Sequence, residues 1–269
     1  MRTIAVINHK GGSGKTTTAI NLAAGLSEQG MRVLIIDMDP QGHVAYGLGI
    51  PKESFKSHPS IAEAMNPDAE DRLTLEECTV DSGFTNLRVV PSDARLNRVA
   101  SNLTNAPYRE TILKKAIGML RDKYDYIVID TVPSLHELSI NAIVAAENIL
   151  IPVPLSGHSL DGFAQLLRSI NTYKDGTEFD WRILKTFVTG HGKERQQQAL
   201  EVLGPVEDRI LETEIARTEA IERSQMKHPD QVRITPVVLS KKSNRAKQDF
   251  RALAVEVMDR WPVGNEVRL

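Results

Sequence analysis

The amino-acid sequence predicts an α/β fold with a doubly wound, mostly parallel sheet and helices on both faces. Hydrophobic β-branched runs alternate along the 269 residues with segments of helical spacing. Runs such as 33–36 and 127–129 are apolar on successive residues, so they need cover on both faces, as strands of a parallel sheet have. The predicted strands are 3–8, 32–37, 87–90, 126–130, 148–153 and 183–188.

Two segments between these strands have the apolar spacing of helices that pack on a sheet. The first follows Lys15 and the second precedes Tyr126. Residues 51–85 are polar and irregular, and we expect helix and loop over one edge of the sheet. Because no linker or repeat interrupts the alternation, we treat 1–269 as a single domain.

Composition excludes several classes of protein. Hydrophobic residues make up 41% and charged residues 25%, which is usual for packed globular chains and unlike disordered ones. The apolar stretch 142–155 is too short to span a bilayer, and no secretory signal opens the chain, so we expect a cytoplasmic protein. The single cysteine, Cys78, excludes an intrachain disulfide. With a net charge of −2, any binding to nucleic acid must come from a local patch.

A glycine-rich segment directly follows the first predicted strand. Residues 10–17 read Lys-Gly-Gly-Ser-Gly-Lys-Thr-Thr and lead into a helix. The spacing of Gly11 and Gly14 is shorter than in the standard phosphate-loop pattern, but Gly14-Lys15-Thr16 lies where strand turns into helix. Backbone N–H groups and the helix N-terminus would bind a polyphosphate there. Lys15 would reach the terminal phosphates and the Thr16 hydroxyl would bind Mg²⁺.

Acidic residues end two of the predicted strands. The sequence Asp37-Met38-Asp39-Pro40-Gln41 closes one strand, and Asp130 closes the strand at 126–130. Ligands of open α/β sheets bind at the carboxyl ends of parallel strands. We therefore expect Asp130 to hold Mg²⁺ through water, in the manner of a Walker B carboxylate.

Together these motifs resemble those of the ParA/MinD family of P-loop ATPases, whose phosphate loop carries an additional lysine at the position of Lys10. The resemblance implies ATP and Mg²⁺ as cofactors and nucleotide contacts from Lys10, Gly11, Gly12, Ser13, Gly14, Lys15, Thr16 and Thr17. It implies that Lys10 contacts the nucleotide of the partner subunit in an ATP-sandwich homodimer. It also implies that Asp39 positions or deprotonates the attacking water, with Asp37 as a structural or outer Mg²⁺ group. His43, Thr131 and Val132 depart from the family pattern.

Within this family the sequence is most similar to short, Soj-like ParA proteins. That resemblance implies a nucleoid-associated ATPase that binds DNA non-specifically and segregates plasmid or chromosome cargo with a ParB-like activator. Residues 233–251 contain six basic residues against one acidic residue, and a DNA-binding surface and a solvated basic face are both consistent with this balance. The predicted DNA-binding residues are Arg195, Arg217, Lys241, Lys242, Arg245 and Lys247. For Arg217, a position near adenine is also open.

Two other functions remain open within the resemblance. One is a relative that positions a protein assembly, such as a carboxysome or chemosensory cluster. The other is a MinD-like membrane-associated regulator, which would need a basic amphipathic terminal helix. The last helical segment has mixed charges opposite its apolar face, so we expect this face to pack on the core and expect no stable membrane binding. Fe–S relatives need at least two cluster-bridging cysteines per subunit, and this chain has one.

Overall fold

The computed structural model describes residues 1–120, 122–155, 162–189, 193–224 and 234–264. In these residues one sheet has the strand order β3-β4-β2-β5-β1-β6-β7-β8. The strands are β1 (Arg2–Val6), β2 (Val33–Met38), β3 (Val80–Phe84), β4 (Leu87–Val90), β5 (Tyr126–Thr131), β6 (Asn148–Pro154), β7 (Asp180–Val188) and β8 (Ile210–Ala216). All pairs are parallel except β3 with β4. The predicted α/β fold is confirmed.

Helices lie between the strands on both faces of the sheet. They are α1 (Lys15–Glu28), α2 (His43–Gly47), α3 (Lys52–Phe55), α4 (Ile61–Ala64), α5 (Arg95–Leu103), α6 (Ile112–Gly118), α7 (Glu137–Ala145), α8 (Phe163–Lys174), α9 (Lys193–Leu203), α10 (Glu219–Ser224) and α11 (Arg245–Arg260). Short 3₁₀ helices occupy Arg109–Thr111, Gly204–Arg209 and Val237–Leu239. The apolar faces of α4 to α8 belong to one buried cluster, and those of α1 and α11 belong to another.

Two edge strands were not predicted from the sequence. Strand β3 lies within 51–85, where we expected only helix and loop, and it adds an antiparallel strand at the edge. Strand β8 forms the opposite edge, and only three of its seven residues are buried. Edge strands lack the continuous apolar signal of central parallel strands, because one side or one face is open to water.

The terminal helix α11 packs on the core, as predicted. Phe250, Leu253 and Val257 are buried against the α1 side of the sheet. Its end is fastened by Trp261, whose indole N–H donates to Asp180 at 2.9 Å and whose carbonyl accepts from the Tyr126 hydroxyl at 2.9 Å. Among the described residues, no helix combines the length and apolarity required to cross a membrane.

Cys78 is buried in the core cluster on the α4 to α8 side. Burial raises the pKa of its thiol to about 12. Because the thiolate is the reactive form of cysteine, this side chain is chemically inert at neutral pH.

Candidate nucleotide site

The glycine-rich loop connects β1 at the centre of the sheet to α1. Gly12 and Gly14 have φ angles of 71° and 87°, a region that strains residues with a Cβ atom. Asn8 anchors the start of the loop, since its amide donates to the Pro152 carbonyl at 2.8 Å and its oxygen accepts from the Lys10 N–H at 3.0 Å. The Thr186 hydroxyl donates to the Ser13 carbonyl at 3.2 Å. The loop is therefore held by β6 and β7 in one conformation.

Lys15 begins α1 and is only 6% exposed. Its Nζ donates to the Lys10 carbonyl at 3.0 Å, so the side chain folds back across the loop. Burial lowers the pKa of Lys15, while the nearby carboxylates of Asp130 and Asp39 act in the opposite direction. A buried ammonium beside a helix N-terminus is suited to binding a phosphate oxygen.

Asp130 lies on β5 and is fully buried beside the amino-terminal end of α1, where Lys15 and Thr16 are located. Among the described residues, none makes a hydrogen bond of ordinary geometry with either of its carboxylate oxygens. Burial raises the pKa of Asp130 to about 7, Thr16 and Lys15 oppose this rise, and Asp39 adds to it. Because buried polar atoms are rarely left without partners, these two oxygens are suited to binding a cation, directly or through water.

The acids that end β2 are placed differently. Asp37 is fully buried, and its two oxygens accept from the N–H groups of Asp39 at 2.9 Å and Val44 at 3.0 Å. Asp39 is half-buried, and its Oδ1 accepts from the Gln41 N–H at 2.9 Å. Asp37 therefore faces backbone, while Asp39 lies at the surface of the site.

A cavity of about 460 Å³ opens over the loop, which is within the range of ligand-binding pockets. It brings together the predicted residues of the loop from Gly11 to Thr17 with Asp39. It is lined by Gly11, Gly12, Ser13, Gly14, Lys15, Thr16, Thr17, Asp39, Gln41, His43, Thr131, Pro133, Phe187, Ile221 and Glu222. Lys10, Asp37 and Asp130 are not among these lining residues.

Phe187 is a cavity residue that we did not predict. It is the penultimate residue of β7 and has a φ of 53°, which is unusual for a bulky side chain. Its ring lies 3.5 Å from the position that a Cβ on Gly14 would take. Strained residues often mark functional sites. Phe187 could have been predicted, because ligands meet the carboxyl ends of parallel strands. Ile221 and Glu222 on α10 also line the cavity and were not predicted from the sequence.

The donor set fits Mg²⁺ only together with other ligands. No group of three or more His, Cys, Asp or Glu side chains within the described ranges could hold a metal ion. Mg²⁺ usually keeps several waters and binds one or two carboxylates together with substrate phosphates. One unpartnered carboxylate at Asp130 beside the Thr16 hydroxyl, under a phosphate-binding loop, fits that pattern.

Comparison with known proteins agrees with this geometry. Residues 1–183 match the AAA domain family AAA_31. The chain is 34% identical over 262 residues to the chromosome partitioning protein ParA of Myxococcus xanthus, covering 96% of this chain and 88% of that one. It is 33% identical over 257 residues to the sporulation initiation inhibitor protein Soj of Bacillus subtilis, covering 94% and 97%. The chain belongs to the ParA/MinD family of P-loop ATPases.

A solved structure gives the same fold. The cobyrinic acid a,c-diamide synthase of Mycobacterium smegmatis with bound ADP and magnesium superposes with a TM-score of 0.79 at 26% identity, covering 97% of this chain and 95% of that one. That protein binds a nucleotide with magnesium, which agrees with ATP and Mg²⁺ as the predicted cofactors.

The basic residues that the ParA resemblance marks for DNA are not equally available. Lys241 and Lys242 are exposed between the last 3₁₀ helix and α11. Arg245 lies 3.7 Å from Glu214 and 3.9 Å from Asp249, and Lys247 donates to the Ser240 carbonyl at 2.5 Å. Exposed ion pairs are weak, so Arg245 is not locked away from DNA.

Two further residues of this prediction, Arg195 and Arg217, do not belong to the basic segment 233–251. Arg217 is exposed and pairs at 3.4 Å with Glu222, a residue that lines the cavity, so a role at the nucleotide and a role at DNA both stay predictions. The Arg195 side chain and Arg233 lie outside the described part of the structure.

Proposed function

We propose that this chain is a ParA-type ATPase that binds Mg-ATP, dimerises around it and hydrolyses it. The observation that carries the proposal is that Thr16 and the buried Lys15 and Asp130 lie together at one phosphate-binding loop whose cavity Asp39 also lines. Within the described part of the chain, no residue makes an ordinary hydrogen bond to the Asp130 carboxylate. Membership of the ParA/MinD family supports it.

Each side chain has a distinct task in this reaction. The loop N–H groups bind the phosphates, and Lys15 stabilises charge on the terminal ones. Thr16 and Asp130 would hold Mg²⁺, Asp130 through water, and the ion would neutralise phosphate charge. Asp39 would orient the attacking water or accept its proton, and its place among the residues that line the same cavity as the loop supports this role.

The dimer follows from the role that the family resemblance gives to Lys10. Its ammonium would stabilise the phosphates bound in the partner subunit, so ATP would favour the dimer and hydrolysis would remove that contact. For arginine fingers such a contribution in trans is about 10³–10⁵ in rate. Lys10→Ala should abolish stimulated hydrolysis and weaken ATP-dependent dimerisation. Stimulated turnover at the wild-type rate would exclude the role in trans.

We further propose that the ATP dimer binds DNA without sequence preference and moves plasmid or chromosome cargo together with a ParB-like activator. The exposed pair Lys241 and Lys242 supports the DNA-binding part of this proposal. Binding that rests on phosphate contacts is weak, on the order of 10⁻⁴–10⁻⁶ M at physiological salt, and falls steeply as salt rises. A protein that returns repeatedly to the nucleoid needs this reversibility.

The test is binding of the purified protein to non-specific duplex DNA with ATP, with ADP and without nucleotide, at two salt concentrations. We expect binding only with ATP, and weaker binding at the higher salt. The variant Lys241→Glu/Lys242→Glu should lose DNA while it keeps ATP. Its matched control is Lys114→Glu/Lys115→Glu, an exposed lysine pair on α6 at the opposite face of the sheet. Equal DNA binding by the first variant and wild type would move the interface elsewhere.

A membrane-associated, MinD-like role has weaker support. The apolar face of α11 that would enter a lipid surface is buried against α1 and the sheet. Co-sedimentation with anionic liposomes in the presence of ATP would nevertheless favour that role over DNA. A protein assembly as cargo predicts the same ATP and DNA binding, and identification of the activator protein would distinguish it from DNA partition.

A further inference from the structure

The turn that carries Asp39 is held at both ends by one side chain. Asp37 Oδ1 accepts from the N–H of Asp39, and Oδ2 accepts from the N–H of Val44. These amides lie two and seven residues further along the chain, on either side of the turn at 40–43. Neither carboxylate oxygen of Asp37 is therefore left without a partner.

The second bond supplies a cap that helix α2 lacks. Its N-cap residue is Gly42, which has no side chain to accept from the first N–H groups of the helix. Val44 is the second residue of α2, so the Asp37 carboxylate satisfies an N–H group that a capping Ser or Asp would otherwise bind. Burial, with Asp130 beside it, raises the pKa of Asp37, and the hydrogen bonds from the Asp39 and Val44 N–H groups act in the opposite direction.

Close packing leaves this turn little alternative space. A Cβ on Gly42 would lie 2.5 Å from the Ser92 carbonyl oxygen, and a Cβ on Gly47 would lie 2.5 Å from the Ile20 side chain. The turn is thus pressed against neighbouring backbone at one end of α2 and against α1 at the other. The hydrogen bonds of Asp37, which lies inside the sheet, further restrain the backbone of this turn.

We propose that Asp37 is a positioning residue that clamps the turn, and so sets the place of Asp39 and of α2 together. It acts through its two backbone hydrogen bonds and not as a ligand of the metal. The consequence for hydrolysis rests on the function proposed above, because Asp39 is the residue placed to act on water. The clamp itself belongs to the nucleotide-free protein and can be tested without ATP.

The experiment is residue-resolved hydrogen exchange of the nucleotide-free, Mg²⁺-free protein, as wild type and as Asp37→Asn. An asparagine keeps the size of the side chain, but its NH₂ group cannot accept, so at least one of the two amides loses its partner. In wild type both amides should be protected. In the variant the amide of Asp39 or Val44 should exchange about 10- to 100-fold faster, the range expected when a buried donor loses its acceptor.

Asp125→Asn is the matched control. Asp125 is also a buried aspartate that accepts from a backbone N–H, that of Arg32 at 2.9 Å, but it lies before the amino end of β5. This variant should accelerate exchange at Arg32 and leave the amides of Asp39 and Val44 unchanged. In steady-state assays Asp37→Asn should lower kcat and keep the Kd for Mg-ATP within about threefold, since the phosphate loop is intact.

Three results would overturn the clamp. In the first, the wild-type amides of Asp39 and Val44 exchange as fast as unprotected loop amides. In the second, Asp37→Asn leaves the exchange rates of both amides unchanged. In the third, Asp37→Asn accelerates exchange uniformly throughout the protein. If the variant does not fold, the wild-type measurement alone decides. Absence of ATP hydrolysis by wild type would remove the ATPase function and leave the exchange result in force.

Discussion

Asp37 and Asp130 lie side by side at the ends of neighbouring strands, yet their surroundings give them opposite properties. The parallel pairing of β2 and β5 places them in register. Both are fully buried, but Asp37 uses both oxygens on backbone N–H groups, whereas none of the described residues makes an ordinary hydrogen bond to either Asp130 oxygen. Equal position in a sheet therefore does not imply equal function.

The difference comes from the path that the chain takes after each strand. After β2 the chain turns back into α2, so its N–H groups point at Asp37. After β5 the chain continues through residues 132–136 before α7, and the loop leaves Asp130 facing the start of α1. We therefore propose that Asp37 stabilises the turn while Asp130 serves to bind a cation.

The largest effect should come from removing the unpartnered carboxylate. Asp130→Ala should lower ATP hydrolysis by at least about 10–100-fold and abolish the gain in nucleotide affinity that Mg²⁺ gives, because the ion loses its protein carboxylate. Steady-state hydrolysis and nucleotide titrations with and without Mg²⁺ check this. Hydrolysis close to the wild-type rate would show that Asp130 is not the metal-facing group.

Asp39 offers a third carboxylate, on the rim of the cavity. Asp39→Ala should still bind Mg-ATP but hydrolyse it at least about 100-fold more slowly, as expected when a general base or water-positioning group is lost. The ATP dimer should then accumulate, which size-exclusion chromatography with ATP detects. An unchanged hydrolysis rate would remove Asp39 from the reaction.

A substitution at Gly42, in the turn between Asp39 and Val44, should lower the stability of the fold while all three carboxylates stay in place. Gly42→Ala places a Cβ at a φ of 67° and 2.5 Å from the Ser92 oxygen, so we expect a loss of about 1–3 kcal/mol in unfolding free energy. Gly118→Ala is the control, since a Cβ there meets nothing within 4 Å and the residue is helical. Urea unfolding of both variants measures the difference, and equal stabilities would show that the turn is not tightly packed.

The pH dependence of stability should show the cost of burying the Asp130 carboxylate in its charged form. In the folded state the pKa of Asp130 is raised from 3.8 to about 7, so between these values the unfolded chain binds fewer protons than the folded chain. Stability that is present at low pH is therefore lost as the pH rises toward 7. Asp130→Asn removes this loss, and the difference in unfolding free energy between Asp130→Asn and wild type should grow from about pH 4 to pH 7 and reach about 4 kcal/mol. Urea unfolding without Mg²⁺ checks it, and a difference that stays constant or shrinks would contradict the raised pKa.

The sequence was sufficient for the central sheet and the phosphate loop, because both depend on local signals. Continuous apolar runs predicted β2 and β5, and Gly14-Lys15-Thr16 between strand and helix predicted the loop. Edge strands β3 and β8 escaped because their burial is partial. Cavity residues Phe187, Ile221 and Glu222 escaped because β7 and α10 meet the loop only through tertiary packing.

The hydrogen-bond partners of Asp37 were also beyond the sequence, which left a structural role and an outer Mg²⁺ role both open for this residue. Both Asp37 and Asp130 end apolar strands, and the residues around them predict the same location for each. Only the path of the chain from Asp39 to Val44 shows that backbone N–H groups saturate Asp37. Hydrogen-bond partners seven residues apart across a turn are set by the packing of α2 on α1, which no local pattern encodes.

The most direct test is calorimetric titration of ATP, with and without Mg²⁺, into wild type, Asp37→Asn and Asp130→Asn. We predict that Mg²⁺ tightens ATP binding in wild type and in Asp37→Asn but not in Asp130→Asn. Retention of the Mg²⁺ effect in Asp130→Asn together with its loss in Asp37→Asn would reverse the two roles and contradict the division of labour between these carboxylates.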